Sequence, residues 1–358
     1  MKKHKICIIC FICVLLILML PAKTQAFEQT SAKACVVFEA NSSRLLYDKN
    51  KDIQLPEAST TKIMTALVTI ENTNVDEKIK IPKQAVGIEG SSIYLREGEQ
   101  LTVKELLYGL MLRSGNDCAV ALALHVGGSI ENFANMMNQK AKQLGCRNTN
   151  FVNPHGLPDE NHYTSAYDLG LISCEAIKNP VFKQIVSAKS ATISNDGYDY
   201  DRYLKNKNKI LTLFDGANGI KTGYTKKAGR CFVGSAYRNG MQLVVVLLNC
   251  APMFEESMQL MQRCFEQYEM KNLLTIDDIY HTIKIKKGKN KFTQAIVIDN
   301  FAYPLKKDGS EDNKIKILTT LPQELSQKPK KEQIIGKIDI LFDNQLIFSS
   351  KIITLNIL

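Results

Sequence analysis

The chain has 358 residues, a formal net charge of +10, no tryptophan and an apolar fraction of 45%. That apolar content supports an ordinary packed core and excludes a disordered or collagen-like chain. With the first 26 residues set aside, the length suggests two domains. Positive charge carried mostly by lysine fits contact with anionic lipid or an anionic wall polymer better than nucleic-acid binding, although a solvated lysine surface gives the same sum.

The opening residues read as an address. Met1 to Lys5 is basic, Ile6 to Leu20 is an unbroken apolar run, and Thr24-Gln25-Ala26 is a small-x-small cleavage site. That order predicts a secretory signal peptide over residues 1–26. A retained membrane helix is the alternative, but the run falls short of the roughly 20 residues that a span needs. On either reading the remainder is expected to work outside the cytoplasm. Of ten cysteines, Cys7, Cys10 and Cys13 leave with the signal. The other seven are an odd number, scattered singly and mostly in apolar surroundings. They read as core thiols rather than as a disulfide framework or a metal site. The five histidines show no ligand spacing, so no metal is expected.

Next come two β-like runs, Ala34 to Ala40 and Arg44 to Tyr47, around a turn at Asn41-Ser42-Ser43. Helical patterns follow. One runs from Thr60 to about Glu71, and another starts at Thr102 with Glu105 completing a capping box. Further helices are predicted over Cys118 to His125, over Ser129 to Leu144, and after Thr164-Ser165. Strand-like runs return at Cys231 to Tyr237 and Met241 to Leu248, joined by an Asn-Gly hairpin signal at Asn239-Gly240. Met258 to Tyr268 reads as an amphipathic helix. The order strands, helices, strands predicts an α+β domain over 27–274, its antiparallel sheet pairing the first hairpin with the last strands and flanked by helices. From 275 to 358 short β runs alternate with Lys-, Gly-, Asp- and Pro-rich turns, which predicts a small all-β domain. Its stretch from His281 to Leu358 holds fourteen lysines against eight carboxylates, so it reads as a spacer or docking module.

The chemistry starts at Glu57 to Leu67, EASTTKIMTAL. Residues three apart on a helix share a face, so Lys62 is placed beside Ser59. A serine hydroxyl needs a base to take its proton, and burial or a neighbouring cation makes a lysine such a base. Backbone N–H groups at a helix start suit a developing oxyanion. An isolated Ser-x-x-Lys is more often an N-cap and a surface lysine. Two further segments change the balance: Ser114-Gly115-Asn116 between two apolar helices, and Lys221-Thr222-Gly223 just before the strand that starts at Cys231. An edge strand there would accept an extended peptide, and Lys221 with Thr222 offers a cation and a hydroxyl to a carboxylate. The three motifs, in this order in an exported chain, make a strong set.

The set resembles that of the penicillin-binding protein and serine β-lactamase superfamily. More specifically, LPEASTTKIMTAL, LRSGNDCAVALA, NPHGLPDENHYTSAYDL and GIKTGYTKKAGRC are similar to segments of the low-molecular-mass penicillin-binding proteins, the serine-type D-Ala-D-Ala carboxypeptidases. The resemblance implies a β-lactamase/transpeptidase-like fold and no cofactor. Ser59 would be the acylated nucleophile and Lys62 its base. Ser114 would relay the proton, and Asn116 would hold the substrate amide and orient Lys62. Lys221 and Thr222 would bind the terminal carboxylate. Gly223 and Tyr224 complete the substrate site, the Tyr224 and Ser59 N–H groups forming the oxyanion hole. The implied partners are peptidoglycan stem peptides ending in D-Ala-D-Ala and β-lactams as covalent inhibitors, with peripheral wall or membrane-surface contact left open. A β-lactam sensor, an endopeptidase and a β-lactamase would use the same motifs. The sequence departs from the family in three places. No arginine stands in LLNCAPMFEE after the later strand, no amphipathic helix is read at the end, and Glu131 to Asn135 comes too soon for a deacylation loop.

Overall fold

A computed structural model describes residues 30–276, 278–287 and 292–355. The expected signal peptide lies outside them. The N-terminal sheet has five antiparallel strands: β1 (Ala34–Glu39), β2 (Arg44–Lys49), β3 (Ala217–Thr225), β4 (Gly229–Arg238) and β5 (Met241–Leu248), in the order β2-β1-β5-β4-β3. The first hairpin therefore joins the last strands through β1 and β5, with Val37 opposite Val245. Every residue of β1 and β5 is buried, which requires cover on both faces of the sheet and explains their near-continuous apolar sequences. The helix Ala166–Lys178 packs on β1 and β5, and Met253–Gln267 packs on β4 and β5.

Between β2 and β3 lies a helical layer around α1 (Lys62–Asn72), which is buried from Lys62 through Thr69. A helix enclosed on every side lies inside its layer, and this one touches Asn116–Gly127, Ile130–Gln143 and Ala166–Lys178. The surrounding helices start where polar caps dictate. Thr102 and Glu105 form the capping box, Ser129 accepts from Asn132 N at 3.1 Å, and Ser165 accepts from Asp168 N at 3.1 Å. The sequence reading missed the helix Pro180–Ser187, which Asn179 caps, and β3 itself. The helix Val103–Tyr108 continues into a π-helical turn, Gly109–Arg113, which ends at Ser114.

The C-terminal part is all β. Six strands pair in the order Ile315–Thr320, Ile334–Phe342, Gln345–Leu355, Phe292–Val297, Ile279–Ile285, Glu324–Leu325. Ile283, Ala295, Val297, Ile338, Ile340 and Ile352 form their core. The boundary expected at 274 falls at the end of a strand, Tyr268–Leu274, whose partner is Phe301–Lys306. Residues Ala32–Leu358 form one compact unit, and Arg44 on β2 shows how its two parts are joined. Its guanidinium lies 4.3 Å from the Phe342 ring centroid and 5.1 Å from that of Tyr303, pairs with Glu311 at 2.7 Å, and donates to Pro304 O. Arginine suits this place because its plane stacks while its edge donates. Removing one member of a buried ion pair strands the other. Arg44→Ala should therefore cost about 3 kcal/mol in urea unfolding, and Arg44→Lys should recover only part of it. An unchanged midpoint in Arg44→Ala would mean that the domains hold together without this residue.

Candidate active site

The site is assembled around a sharp turn. Ala58–Thr61 forms a short 3-10 turn before α1, so Ser59 lies on that turn and Lys62 opens the α-helix. Ala58 has φ +51°, a left-handed conformation that a side chain adopts only when its surroundings hold it there. Several groups do so. Thr60 Oγ1 donates to Glu57 O at 2.6 Å, and Thr61 Oγ1 lies 2.9 Å from each of Ala58 O, Glu57 Oε1 and His162 Nε2. His162 Nδ1 accepts from Val152 N, which leaves the proton on Nε2, 3.0 Å from Glu57 Oε1. Glu57 and His162 thus clamp the turn from beneath, both of them buried.

Lys62 is fully buried. Its Nζ lies 3.0 Å from Ser59 Oγ, 2.7 Å from Asn116 Oδ1 and 2.7 Å from His155 O. Burial, and next the charge of Lys221, hold its pKa well below the usual lysine range. Asn116 is the first residue of the helix Asn116–Gly127, and its Nδ2 donates to Glu89 O. The adjacent Asp117 carboxylate accepts from Ser92 Oγ at 2.5 Å and from the backbone N–H groups of Ile93 and Leu95. It ties down the loop that faces the site. Ser114, two residues before Asn116, is 5% exposed and held at φ +65°.

The third motif lies on β3, an edge strand, rather than in the turn before one. Lys221 and Gly223 are buried, Thr222 is half-buried and Tyr224 is exposed. The Lys221–Gly223 face is the one turned to the nucleophile turn, since a Cβ on Gly223 would sit 3.1 Å from Ser59 N. Lys221 Nζ donates to Thr222 O at 2.9 Å. Its pKa is lowered to about 7 by burial and then by the charge of Lys207. Hydrogen bonds thus link Ser59, Lys62 and Asn116 directly. Ser114 adjoins them along the chain, and Lys221 joins them through its field.

Four participants escaped the sequence reading. They are the His155 carbonyl, the Glu57–His162 clamp, Asp117, and Lys207, whose Nζ donates to Ser91 Oγ at 3.2 Å. The NPHGLPDENHYTSAYDL segment holds both histidines, but nothing in its spacing says that a backbone oxygen is the useful group. No disulfide joins the seven described cysteines, of which six are buried and Cys146 partly so. Among the described residues no group of three or more His, Cys, Asp or Glu is arranged to hold a metal ion.

A family model described as D-alanyl-D-alanine carboxypeptidase, Peptidase S11, matches residues 21–251. The chain belongs to this family. A second model, the C-terminal domain of penicillin-binding protein 5, matches residues 268–357. The chain is 33% identical to the D-alanyl-D-alanine carboxypeptidase DacF of Bacillus subtilis, over 90% of this chain and 84% of that one. It is 32% identical to DacA of Haemophilus influenzae, over 92% and 85%. The crystal structure of penicillin-binding protein 5 from Haemophilus influenzae superposes with a TM-score of 0.72 at 29% identity, covering 92% of this chain and 98% of that one. These matches identify a low-molecular-mass penicillin-binding protein, and a serine peptidase among the hydrolases.

One position tests how closely this family site is built. Gly156 has φ +83°, and a Cβ there would lie 1.9 Å from Ala58 O, against the backbone of the nucleophile turn. Gly156→Ala should displace the turn and with it Lys62's contact to His155 O. The expected result is loss of penicillin acylation by about a hundredfold or more, since misplacement by about 1 Å costs that much. Near-normal acylation would show that the turn is not held by this contact.

Proposed function

We propose that the protein is an exported serine-type D-Ala-D-Ala carboxypeptidase that removes the terminal D-alanine of peptidoglycan stem peptides through an acyl-enzyme on Ser59. The observation that carries this reading is the set of partners around Lys62 Nζ. Asn116 Oδ1 and His155 O can only accept hydrogen bonds. A neutral amine has two N–H groups and one lone pair. Satisfying both oxygens spends the two N–H groups and leaves the lone pair toward Ser59 Oγ at 3.0 Å. That is the geometry of a base poised on a hydroxyl.

The steps then follow from position. Ser59 Oγ attacks the penultimate D-Ala carbonyl as Lys62 takes its proton. The N–H groups of Ser59 and Tyr224 receive the oxyanion, and the close approach of Gly223 to Ser59 N brings their two segments together. Ser114 passes the proton to the departing D-alanine amine, and Asn116 holds the substrate amide. Lys221 and Thr222 bind the terminal carboxylate, with Lys207 adding positive charge. Water then attacks the ester, freeing the shortened peptide and Ser59. A β-lactam acylates the same serine. Export rests on the signal-like residues 1–26, which place the enzyme at the outer face of the membrane or in the wall. The domain division we favour is 27–267 and 268–358, because Tyr268–Leu274 pairs within the C-terminal part. That part, with its lysine excess, acts as a spacer or as a dock for anionic polymer.

The test follows D-alanine release from diacetyl-Lys-D-Ala-D-Ala together with covalent labelling by penicillin. Ser59→Ala should abolish both while the protein stays folded; label found on another serine would overturn the assignment. Lys62→Arg should be nearly inactive, because a guanidinium stays charged and cannot take the proton. Substantial turnover by Lys62→Arg would mean that another group activates Ser59.

The pH dependence has a defined sign on each side. Lys62 must be neutral, so kcat/KM should rise with pH through its depressed range. Lys221 must be charged to hold a carboxylate, so kcat/KM should fall again near pH 7, where burial places its pKa. In kcat that falling limb should move upward, because a bound carboxylate favours the ammonium. A profile with no falling limb up to about pH 10 would remove Lys221 from carboxylate binding.

A further inference from the structure

Beside the site lies a cleft of ≈ 560 Å³ walled by tyrosines. Tyr94, Tyr198, Tyr200 and Tyr203 line it, and each is at least half exposed, Tyr94 as much as 83%. Four exposed aromatic rings around one cleft are not a requirement of the core.

The arrangement is built rather than loose. Tyr94 has φ +61°, a costly conformation for a bulky residue. Its backbone is held at both ends: its N–H donates to Ser92 Oγ at 2.8 Å and its carbonyl accepts from Arg202 Nη2 at 3.2 Å. The strained residue therefore holds its ring out in solvent. On the facing hairpin, Tyr198 and Tyr200 have ring centroids 5.5 Å apart, and Arg96 stacks 4.0 Å from the Tyr198 centroid. Tyr203 lies on the strand Arg202–Lys205, opposite Thr192.

The three arginines in the wall already donate within the protein, Arg113 to Lys205 O at 3.2 Å, and Asp201 adds a carboxylate to the lining. Arg202 pairs with the buried Glu99, with Nη2 3.0 Å from Oε2. Arg96 donates to Asn195 Oδ1 at 3.2 Å and to Asp196 O. The cleft therefore presents flat faces and hydroxyl edges more than charge, which suits a neutral ring with a polar rim. An anionic polymer would meet the Asp201 carboxylate in the wall, and a lipid chain would want walls without hydroxyls.

The wall of the cleft adjoins residues of the candidate site. Arg113, in its wall, immediately precedes Ser114. Ser92, also in its wall, donates to Asp117, the neighbour of Asn116. We propose that this cleft is a glycan subsite, in which the tyrosines stack on N-acetylated amino sugars of the polymer whose peptides the enzyme trims. The proposal rests on the peptidoglycan reading above and names a second point of contact for that substrate.

The experiment uses the full-length protein and a tetramer of N-acetylglucosamine as the probe. The chain has no tryptophan, so tyrosine fluorescence reports the titration directly. The tetramer should perturb wild-type emission at millimolar concentration. The double variant Tyr94→Ala with Tyr200→Ala should bind about tenfold more weakly, the scale expected when two rings no longer stack on the sugar. Tyr94→Phe with Tyr200→Phe should retain most of the affinity. In the alanine double variant, kcat/KM for diacetyl-Lys-D-Ala-D-Ala should be unchanged, while KM for a disaccharide-pentapeptide rises. No response of the wild type to the tetramer, or equal binding by wild type and alanine variant, would overturn the subsite. So would a KM rise shared by the sugar-free tripeptide. Failure of the wild type to release D-alanine from the tripeptide would instead strike the peptidase reading, and the sugar titration would remain readable.

Discussion

The structure is organised around one buried amine. Placing Lys62 Nζ out of water is costly for an ammonium, and the protein offsets this by favouring the neutral form and supplying two oxygens and a hydroxyl at hydrogen-bonding distance. Each supplier comes from a different part of the chain: a turn before α1, a helix start at Asn116, and the loop carrying His155. A lysine on an exposed helix would be a charged solvent group. Enclosing α1 on all sides is what lowers the pKa of Lys62 and fits it for the base proposed here.

That requirement explains the tight local geometry. The nucleophile must meet the amine from one side and leave its own carbonyl target reachable from the other, so the chain at Ala58 is bent into a left-handed conformation. Such a bend persists only if its neighbours over-determine it. The Thr60 and Thr61 hydroxyls, the Glu57–His162 pair below and Gly156 pressed against Ala58 O fill that role. Likewise Asp117 is spent on loop N–H groups so that Asn116, next to it, can be fixed between Lys62 and Glu89 O.

What the sequence makes legible here is whatever is local. Ser59 and Lys62 are three apart, the helix caps at Thr102, Ser129 and Ser165 are read from single letters, and the Asn-Gly turn announces β4 and β5. The architecture followed from the order of such elements, and the comparisons agree with it. β3 was not legible because ANGIKTGYT opens on an Asn-Gly turn signal and is interrupted by a second glycine, and only pairing with β4 makes it a strand. Phe301–Lys306 was hidden by Pro304, which demotes a run that, among the described residues, pairs with Tyr268–Leu274 alone. The His155 carbonyl has no letter of its own, and Lys207 resembles any surface lysine until the fold brings it to the site.

The cationic crowding of the site carries a consequence of its own. Burial lowers the proton affinity of Lys62, Lys207 and Lys221 most; next, Lys221 and Lys207 lower that of Lys62, Lys207 that of Lys221, and Arg113 that of Lys207. Like charges brought together cannot all stay charged, and the most enclosed of them gives up its proton first. That is Lys62. The less depressed cations remain to attract a carboxylate, so burial and the field of neighbouring cations together separate chemically identical amines into the base and the anion binders of the proposed mechanism. A carboxylate bound at Lys221, as proposed, reverses part of that field: it holds the proton on Lys221 and eases the loss that neighbouring charge imposes on Lys62. On the proposed mechanism, substrate binding thus raises the basicity of the group that takes the serine proton at the moment the scissile carbonyl is in place.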